Sequence, residues 1–571
     1  MPVRRDVISP RSGAALVMAG LAAIAMLVAR PAAAEKLSLE RLFAAPDLNG
    51  PTLRGVEISP DGKLIAYLKA RDDDKDRFDL WAYDVPNKRH RLLVDSRTLA
   101  GADKALSADE EARRERQRTA ALSGIVEYNF APDSRHLLIP LNGDLYVYDL
   151  GAKNGSSKPA EAVRRLTTTE GYETDARFSP HSNYVSFVRD QNLYVIDLAD
   201  GRERAVTRDG GGLVSYGMAE FIAQEEMDRD TGYWWSPDER RIVLERVDES
   251  PVAEIERFEI QATGARIVRQ RYPATGAANA RVSLLVADLA ADSRLDLDLG
   301  GGDYYLPRVD WFPDSRGIAV QRQSRDQKTL ELMRFDALSG RGRVLLTERN
   351  EHWVPLHHEL TFLLKSPQFI WASSRDGFQH LYLYGNDGKL MRQLTSGEYM
   401  VLGESPEGAV RAIDERARRV YFTANLVSPL ERQLYSVSLD APAAPRRVSQ
   451  GDGWHAIDMS VDARVYVDTF SSVSAPRSVA LRDSSGALLT ELLPNKVAAG
   501  HPYAPFIADH ATAEFGSIAA ADGQQLYYRL LKPKKLEPGR KYPVLVEVYG
   551  GPGVQRVTNT WGSLFHQYLV Q

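Results

Sequence analysis

The 571-residue chain contains no cysteine. That absence excludes disulfides, thiolate metal sites and a cysteine nucleophile, and it leaves an exported chain dependent on core packing alone. A basic stripe is also missing. Lys and Arg number 72 against 77 Asp and Glu, interspersed, for a formal net charge of −5. This balance speaks against nucleic acid as a partner and against a charged tail. No apolar run is long enough for a comfortable membrane span. The stretch from Ala14 to Ala29 follows Arg4, Arg5 and Arg11 and precedes Pro31-Ala-Ala-Ala34. Residues 1–34 therefore read as a secretory signal peptide cut after Ala34, giving an exported, periplasmic or secreted protein with no stable span after cleavage; an uncleaved anchor is the rival.

What is present, over most of the length, is a repeat. Ile58-Ser-Pro-Asp-Gly62, Phe130-Ala-Pro-Asp-Ser134, Phe178-Ser-Pro-His-Ser182, Trp235-Ser-Pro-Asp238 and Trp311-Phe-Pro-Asp-Ser315 each lead into an alternating apolar segment. The first three units then close on Leu80-Trp-Ala-Tyr-Asp84, Leu145-Tyr-Val-Tyr-Asp149 and Leu193-Tyr-Val-Ile-Asp197. Proline presets the turn and the acid caps its backbone donors, so each unit is a small antiparallel sheet entered through a defined turn. With less regular copies near Phe369, Val420 and Met459, about eight units fill roughly 55–500. Such units must stack to bury their faces, and a closed ring leaves no free edges, so a β-propeller is favoured over a pair of sandwiches.

Two stretches break the repeat. Gln224-Glu225-Glu226-Met-Asp-Arg-Asp-Thr-Gly-Tyr233-Trp234-Trp235 sets two acids between an apolar segment and a double tryptophan. On a short helix, neighbours point about 100° apart, so the pair cannot share a face but can reach one small cation from two sides. An ammonium, with three donors, suits such a trap. A solvated acidic turn is the bland alternative. The second stretch, Asp109 to Ala121, has acids before bases and neither Gly nor Pro, which predicts a helix whose arginines are mostly solvated. One arginine near its end is free to meet a substrate carbonyl or carboxylate beside the acids.

Near residue 500 the texture changes. Residues 514–531 read as a hairpin turning at Asp522-Gly523. Val544-Leu-Val-Glu-Val-Tyr549, followed by Gly550-Gly-Pro-Gly553, reads as a strand buried on both faces, hence the start of an α/β domain over 503–571. Other candidates are weaker. His357-His358-Glu359 lacks metal-binding spacing, Gly300-Gly-Gly-Asp303 lacks the lysine and context of a phosphate loop, and Phe378 to Tyr382 reads as sheet packing. No metal or cofactor is expected.

The acidic run at 224–235, Arg271-Tyr-Pro-Ala-Thr-Gly-Ala-Ala-Asn279, Leu394-Thr-Ser-Gly-Glu398 and Val548-Tyr-Gly-Gly-Pro552 together resemble the dipeptidyl peptidase IV group of prolyl-oligopeptidase-like serine peptidases. The resemblance implies a mainly β fold: a short N-terminal segment (35–54), an eight-bladed β-propeller (55–500), then the beginning of an α/β-hydrolase domain (503–571). It implies release of Xaa-Pro or Xaa-Ala dipeptides from peptides with a free N-terminus, and a homodimer at full length. Glu225 and Glu226 match the family's anchor for the α-ammonium, and Tyr549 matches its oxyanion tyrosine. The helical arginine best matches Arg118, with Arg114 and Arg116 as rivals.

The chain departs from the family where the nucleophile should be. No Gly-x-Ser-x-Gly, with the Asp and His that follow it, occurs after Tyr549, and Val214-Ser-Tyr-Gly217 has Leu213 where such an elbow needs glycine. The expectation is therefore a piece of a peptidase that anchors substrate without the triad and does not turn it over by itself. A non-catalytic peptide- or protein-binding propeller is the alternative, and an endopeptidase on the same scaffold would have no use for the acidic pair.

Overall fold

A computed structural model of the protein describes residues 35–99, 106–151, 162–403, 408–551 and 553–571. The predicted signal peptide, residues 1–34, lies outside them, as does Pro552 of the fourth family-like run.

Eight antiparallel sheets, each built on four strands, succeed one another over residues 54–94, 129–165, 174–205, 214–296, 304–349, 361–393, 410–447 and 454–493. They are the blades of a β-propeller. First strands line the central channel: residues 54–58, 129–130, 174–177, Trp454 and 456–459 border its cavities. The apolar cores lie between blades rather than within them. One joins Leu64, Ala66 and Leu80 of blade one to Leu137, Ile139 and Tyr146 of blade two, and another joins Val243 and Leu284 of blade four to Ile318 and Phe335 of blade five. A single sheet has nothing to cover its faces, so burial requires the neighbouring blade.

The Pro-Asp turns sit where the repeat predicts, between the first and second channel-to-rim strands, and they also join the blades. In blade one the Ser59 hydroxyl donates to Asp61 at 2.8 Å and accepts from the Leu64 amide at 3.0 Å, satisfying the turn internally. The turn's own backbone then reaches onward. Asp61 N–H donates to Ser134 Oγ of blade two at 3.0 Å, Asp133 to Ser182 of blade three at 3.2 Å, and Asp238 of blade four to Ser315 of blade five at 3.0 Å. Blades three and four are linked by Glu239, which accepts from the His181 amide at 2.5 Å and from Asn183 Nδ2 at 2.7 Å.

The ring closes between blades eight and one. Among the described residues no strand is shared; Ile58 N–H donates to Asp458 Oδ2 at 2.6 Å, and Ile65, Tyr67 and Tyr83 pack against Val467, Val479 and Leu481.

Blade four carries a two-stranded arm, Glu254–Gln261 with Gly264–Arg271, inserted between its strands Arg241–Asp248 and Arg281–Asp288. Phe258, Ile260 and Ile267 are exposed on it, Ile260 to 86%.

Beyond blade eight come a 3₁₀ turn, Ala504–Asp509, and the expected hairpin, Glu514–Ala519 with Gln525–Leu530. The expected buried strand differs. Residues 541–550 are without secondary structure, and Val548 is 81% exposed. A parallel strand is held by partners on its two edges, and none is present among the described residues. The closing helix, Leu564–Leu569, instead packs on the N-terminal segment through Leu37, Leu48, Tyr503, Phe506, Trp561 and Leu564, with Leu37 N–H donating to Gln571 Oε1 at 2.8 Å. Among the described residues, no helix is long and apolar enough to cross a membrane.

Candidate functional site

The acidic pair lies on an excursion from the innermost strand of blade four. Val214–Tyr216 and Tyr233–Trp235 both pair with Arg241–Asp248, so they are two halves of one strand with residues 217–232 looped out between them. A Met218–Thr231 bridge and a Gly232 N–H to Gly217 carbonyl bond of 3.1 Å close the base of the loop. Gly232 is required there, because a Cβ at that position would come within 2.5 Å of the Met218 backbone. The loop carries the helix Phe221–Glu226.

Glu220 caps that helix, its carboxylate accepting from Ile222 N–H at 2.5 Å and Ala223 N–H at 3.0 Å. Ala223 and Met227 face inward, against Ala219, Ile222, Tyr305 and Leu356. Glu225 and Glu226 fall on the exposed side at the helix end. Glu225 meets Arg116 Nη1 at 3.4 Å. That is long for a charge-assisted pair, which prefers about 2.7–2.9 Å, so the carboxylate keeps acceptor capacity. Among the described residues, no ion pair engages Glu226.

The second helix spans Ala108–Arg116 and ends sooner than its composition predicts. Thr119 N–H donates to the Arg114 carbonyl at 2.8 Å and Arg118 N–H to the Glu115 carbonyl at 3.0 Å, while Arg118 adopts φ +56°. These two bonds and a left-handed residue form a Schellman cap, with arginine where glycine is usual. The register sorts the three candidate arginines. Arg118 lies past the cap, exposed. Arg114 turns back onto buried Glu110 at 2.7 Å, which also takes Arg113 at 2.8 Å. Arg116 alone of the three meets the acidic pair.

Both helices border a channel cavity of about 550 Å³, lined by Arg116, Gln224, Arg229, Trp234, Arg308 and Asp310 among others. Its charges are balanced, and several are strongly desolvated. Arg229 and Glu245 form a buried pair at 2.5 Å. Burial, and next to it the charge of Glu245, push the Glu220 carboxyl up to about 7. Burial likewise raises Asp310 to about 7, against the opposing pull of Arg308. Sequence reasoning singled out none of Glu220, Arg308 and Asp310. Glutamate is not a usual cap, and Arg308 reaches the site from another blade.

Tyr549 is elsewhere. It stands 57% exposed in the unpaired run and does not line this cavity. Of His357-His358-Glu359, His358 and Glu359 are hydrogen-bonded through their side chains, whereas His357 accepts from the Glu359 amide at Nδ1 and buries Nε2 without a partner among the described residues. His357 packs edge-on to Trp371 at 4.3 Å, His358 Nε2 lies 2.7 Å from Arg308 Nη2, and Glu359 accepts from Ala409 N–H at 2.7 Å. His380 is buried in blade six on Thr395 and the Gly397 carbonyl.

An eight-bladed propeller whose fourth blade breaks its channel strand to present an acidic helix is a specific arrangement, and comparison with known proteins places it. Residues 121–477 match the family described as the dipeptidyl peptidase IV (DPP IV) N-terminal region, and the chain belongs to that family. Human dipeptidyl peptidase 8 is 26% identical over 538 aligned residues, covering 79% of this chain and 59% of that protein. The probable dipeptidyl-aminopeptidase B of Emericella nidulans is 27% identical over 427 residues, covering 69% of this chain and 46% of that protein. The chain thus spans about half to three fifths of the length of these relatives. The crystal structure of Porphyromonas gingivalis dipeptidyl peptidase 4 superposes with a TM-score of 0.76 at 23% identity, covering 94% of this chain and 72% of that one, which shows the shared fold.

Proposed function

We propose that the chain is the substrate-gating and amino-terminus-anchoring part of an exported serine exopeptidase that releases Xaa-Pro or Xaa-Ala dipeptides. The observation that carries the reading is the meeting of Arg116 with Glu225 beside a Glu226 that no ion pair among the described residues engages, at the edge of a channel cavity. A free α-amino group has an ordinary pKa near 8 and is mostly charged at neutral pH, so two carboxylates offer it charge-assisted bonds. Arg116 then sits where it reaches the carbonyl that follows the ammonium. Anchoring the amino end measures off which peptide bond lies at a nucleophile.

In this reading Tyr549 belongs to an oxyanion site assembled with an α/β-hydrolase domain that begins near residue 503, and the Ser, Asp and His are not carried by these 571 residues. The exposed apolar arm of blade four supports a homodimer at full length. A non-catalytic peptide-binding propeller shares the anchor, and turnover separates the two readings.

The test is a titration of the 571-residue protein with an unblocked Ala-Pro peptide and its N-acetylated form. Preference for the unblocked peptide, abolished in E225Q/E226Q, is expected. Equal binding of both peptides by the wild type would refute the anchor. Cleavage of a Gly-Pro chromogenic substrate by the pure chain would refute the assignment of the triad to residues outside it.

A further inference from the structure

With six residues, the helix that presents Glu225 and Glu226 is too short to hold itself, and its last carbonyls have no partner within the helix. One of them is taken from outside. Met227, directly after Glu226, accepts from Arg308 Nη1 at 2.6 Å. Arg308 stands in a second strand break: Tyr304–Tyr305 and Val309–Trp311 of blade five both pair with Gly317–Ser324, and residues 306–308 bulge between them. Its other terminal nitrogen, Nη2, lies 2.7 Å from His358 Nε2, which comes from the loop leading into blade six. His358, the guanidinium and the helix end thus form one strut across three blades.

The protonation states suit it. Burial, then the neighbouring charge of Arg229, bring Arg308 down to about 10, so it remains a cation at neutral pH. Burial, then Arg308, hold His358 down to about 4, so its ring is neutral and Nε2 accepts. A cation at a helix C-terminus also complements the dipole.

Resting on the anchor reading above, we infer that Arg308, braced by His358, is a positioning residue that sets the orientation of the glutamate pair. Arg308 needs no contact with substrate to do this. It fixes the carbonyl one residue beyond the pair, and a displacement of about 1 Å at such a site costs on the order of a hundredfold.

The strut is tested in the 571-residue protein with the same two peptides. R308Q should weaken binding of the unblocked peptide by roughly tenfold or more and leave the acetylated peptide unchanged. In the E225Q/E226Q background the same substitution should change nothing further, since Arg308 acts only through those carboxylates. H358Q, which keeps an acceptor, should bind as the wild type does, and H358L should reproduce the loss. Should R308Q fold poorly, the two His358 variants decide the question. Unchanged affinity in R308Q or H358L overturns the inference. So does a loss shared by both peptides, or one that persists in E225Q/E226Q. A wild type indifferent to acetylation overturns the anchor, and the inference with it.

Discussion

Glu220 makes the stability of this site depend on pH in a direction opposite to that of an ordinary salt-bridged carboxylate. Burial and the adjacent Glu245 raise its pKa from 4.5 to about 7. A carboxyl whose folded pKa lies above its unfolded value binds its proton more tightly when folded. Its stabilising contribution is therefore complete below about 4.5 and is lost as pH rises to about 7. At 1.36 kcal/mol per pH unit, that window corresponds to roughly 3 kcal/mol, an upper figure because the surroundings relax around a carboxylate that ionises. E220Q keeps a side-chain acceptor for the cap and removes the titration. Urea midpoints of wild type and E220Q, measured from pH 4.5 to 7.5, should converge at the acid end and separate toward neutrality, E220Q being the more stable by about 1–3 kcal/mol at pH 7.5. Comparing the two proteins cancels raised carboxyls that Glu220 does not touch, such as Asp310, and leaves the coupled Glu220–Glu245 titration as the difference. Parallel stability curves for the two would refute the reasoning.

Three further outcomes are expected. R116Q should weaken binding of an unblocked peptide about tenfold, whereas R118Q, beyond the Schellman cap, should bind as the wild type does; isothermal titration of both distinguishes the registers. E245A should cost about 3–5 kcal/mol by leaving the Arg229 cation buried and unpaired, and R229M/E245L should recover most of it, as read by chemical denaturation. F258D/I260D on the arm should turn a dimeric full-length protein into a monomer in sedimentation velocity, with the propeller's circular dichroism unchanged.

The propeller was legible because its signal is local and repeated. A turn such as Ile58-Ser-Pro-Asp-Gly62 states its own geometry within five residues, and the alternation after it states the strand. The helix with Glu225 and Glu226 stood out by violating that rhythm. What stayed hidden depends on partners distant in the chain. Arg308 meets Met227 across 81 residues, and no local pattern announces it. The arginine register was hidden for a local reason: the helix ends on a left-handed Arg118 instead of the glycine or asparagine that marks such caps. Val544–Tyr549 shows the reverse limit. Its composition encodes a strand, but a strand needs an edge to pair with, and composition does not supply one.

The seam between blades one and eight has a consequence for how the ring forms. Apart from blade four, whose strands pair across residues 217–232 and across the arm, the strands that pair within a blade are near neighbours in the chain, so a blade involves little loop-closure entropy and is able to form as it is synthesised. The contact of Ile58 with Asp458 spans 400 residues and has no counterpart until the last blade exists. Seven interfaces between consecutive blades grow along the chain, whereas the eighth is a meeting of its two distant ends. Because blades eight and one are not consecutive in the chain, the seam is the interface expected to exchange its amide hydrogens soonest, ahead of the serine-clasped turns that join blades one to two and two to three.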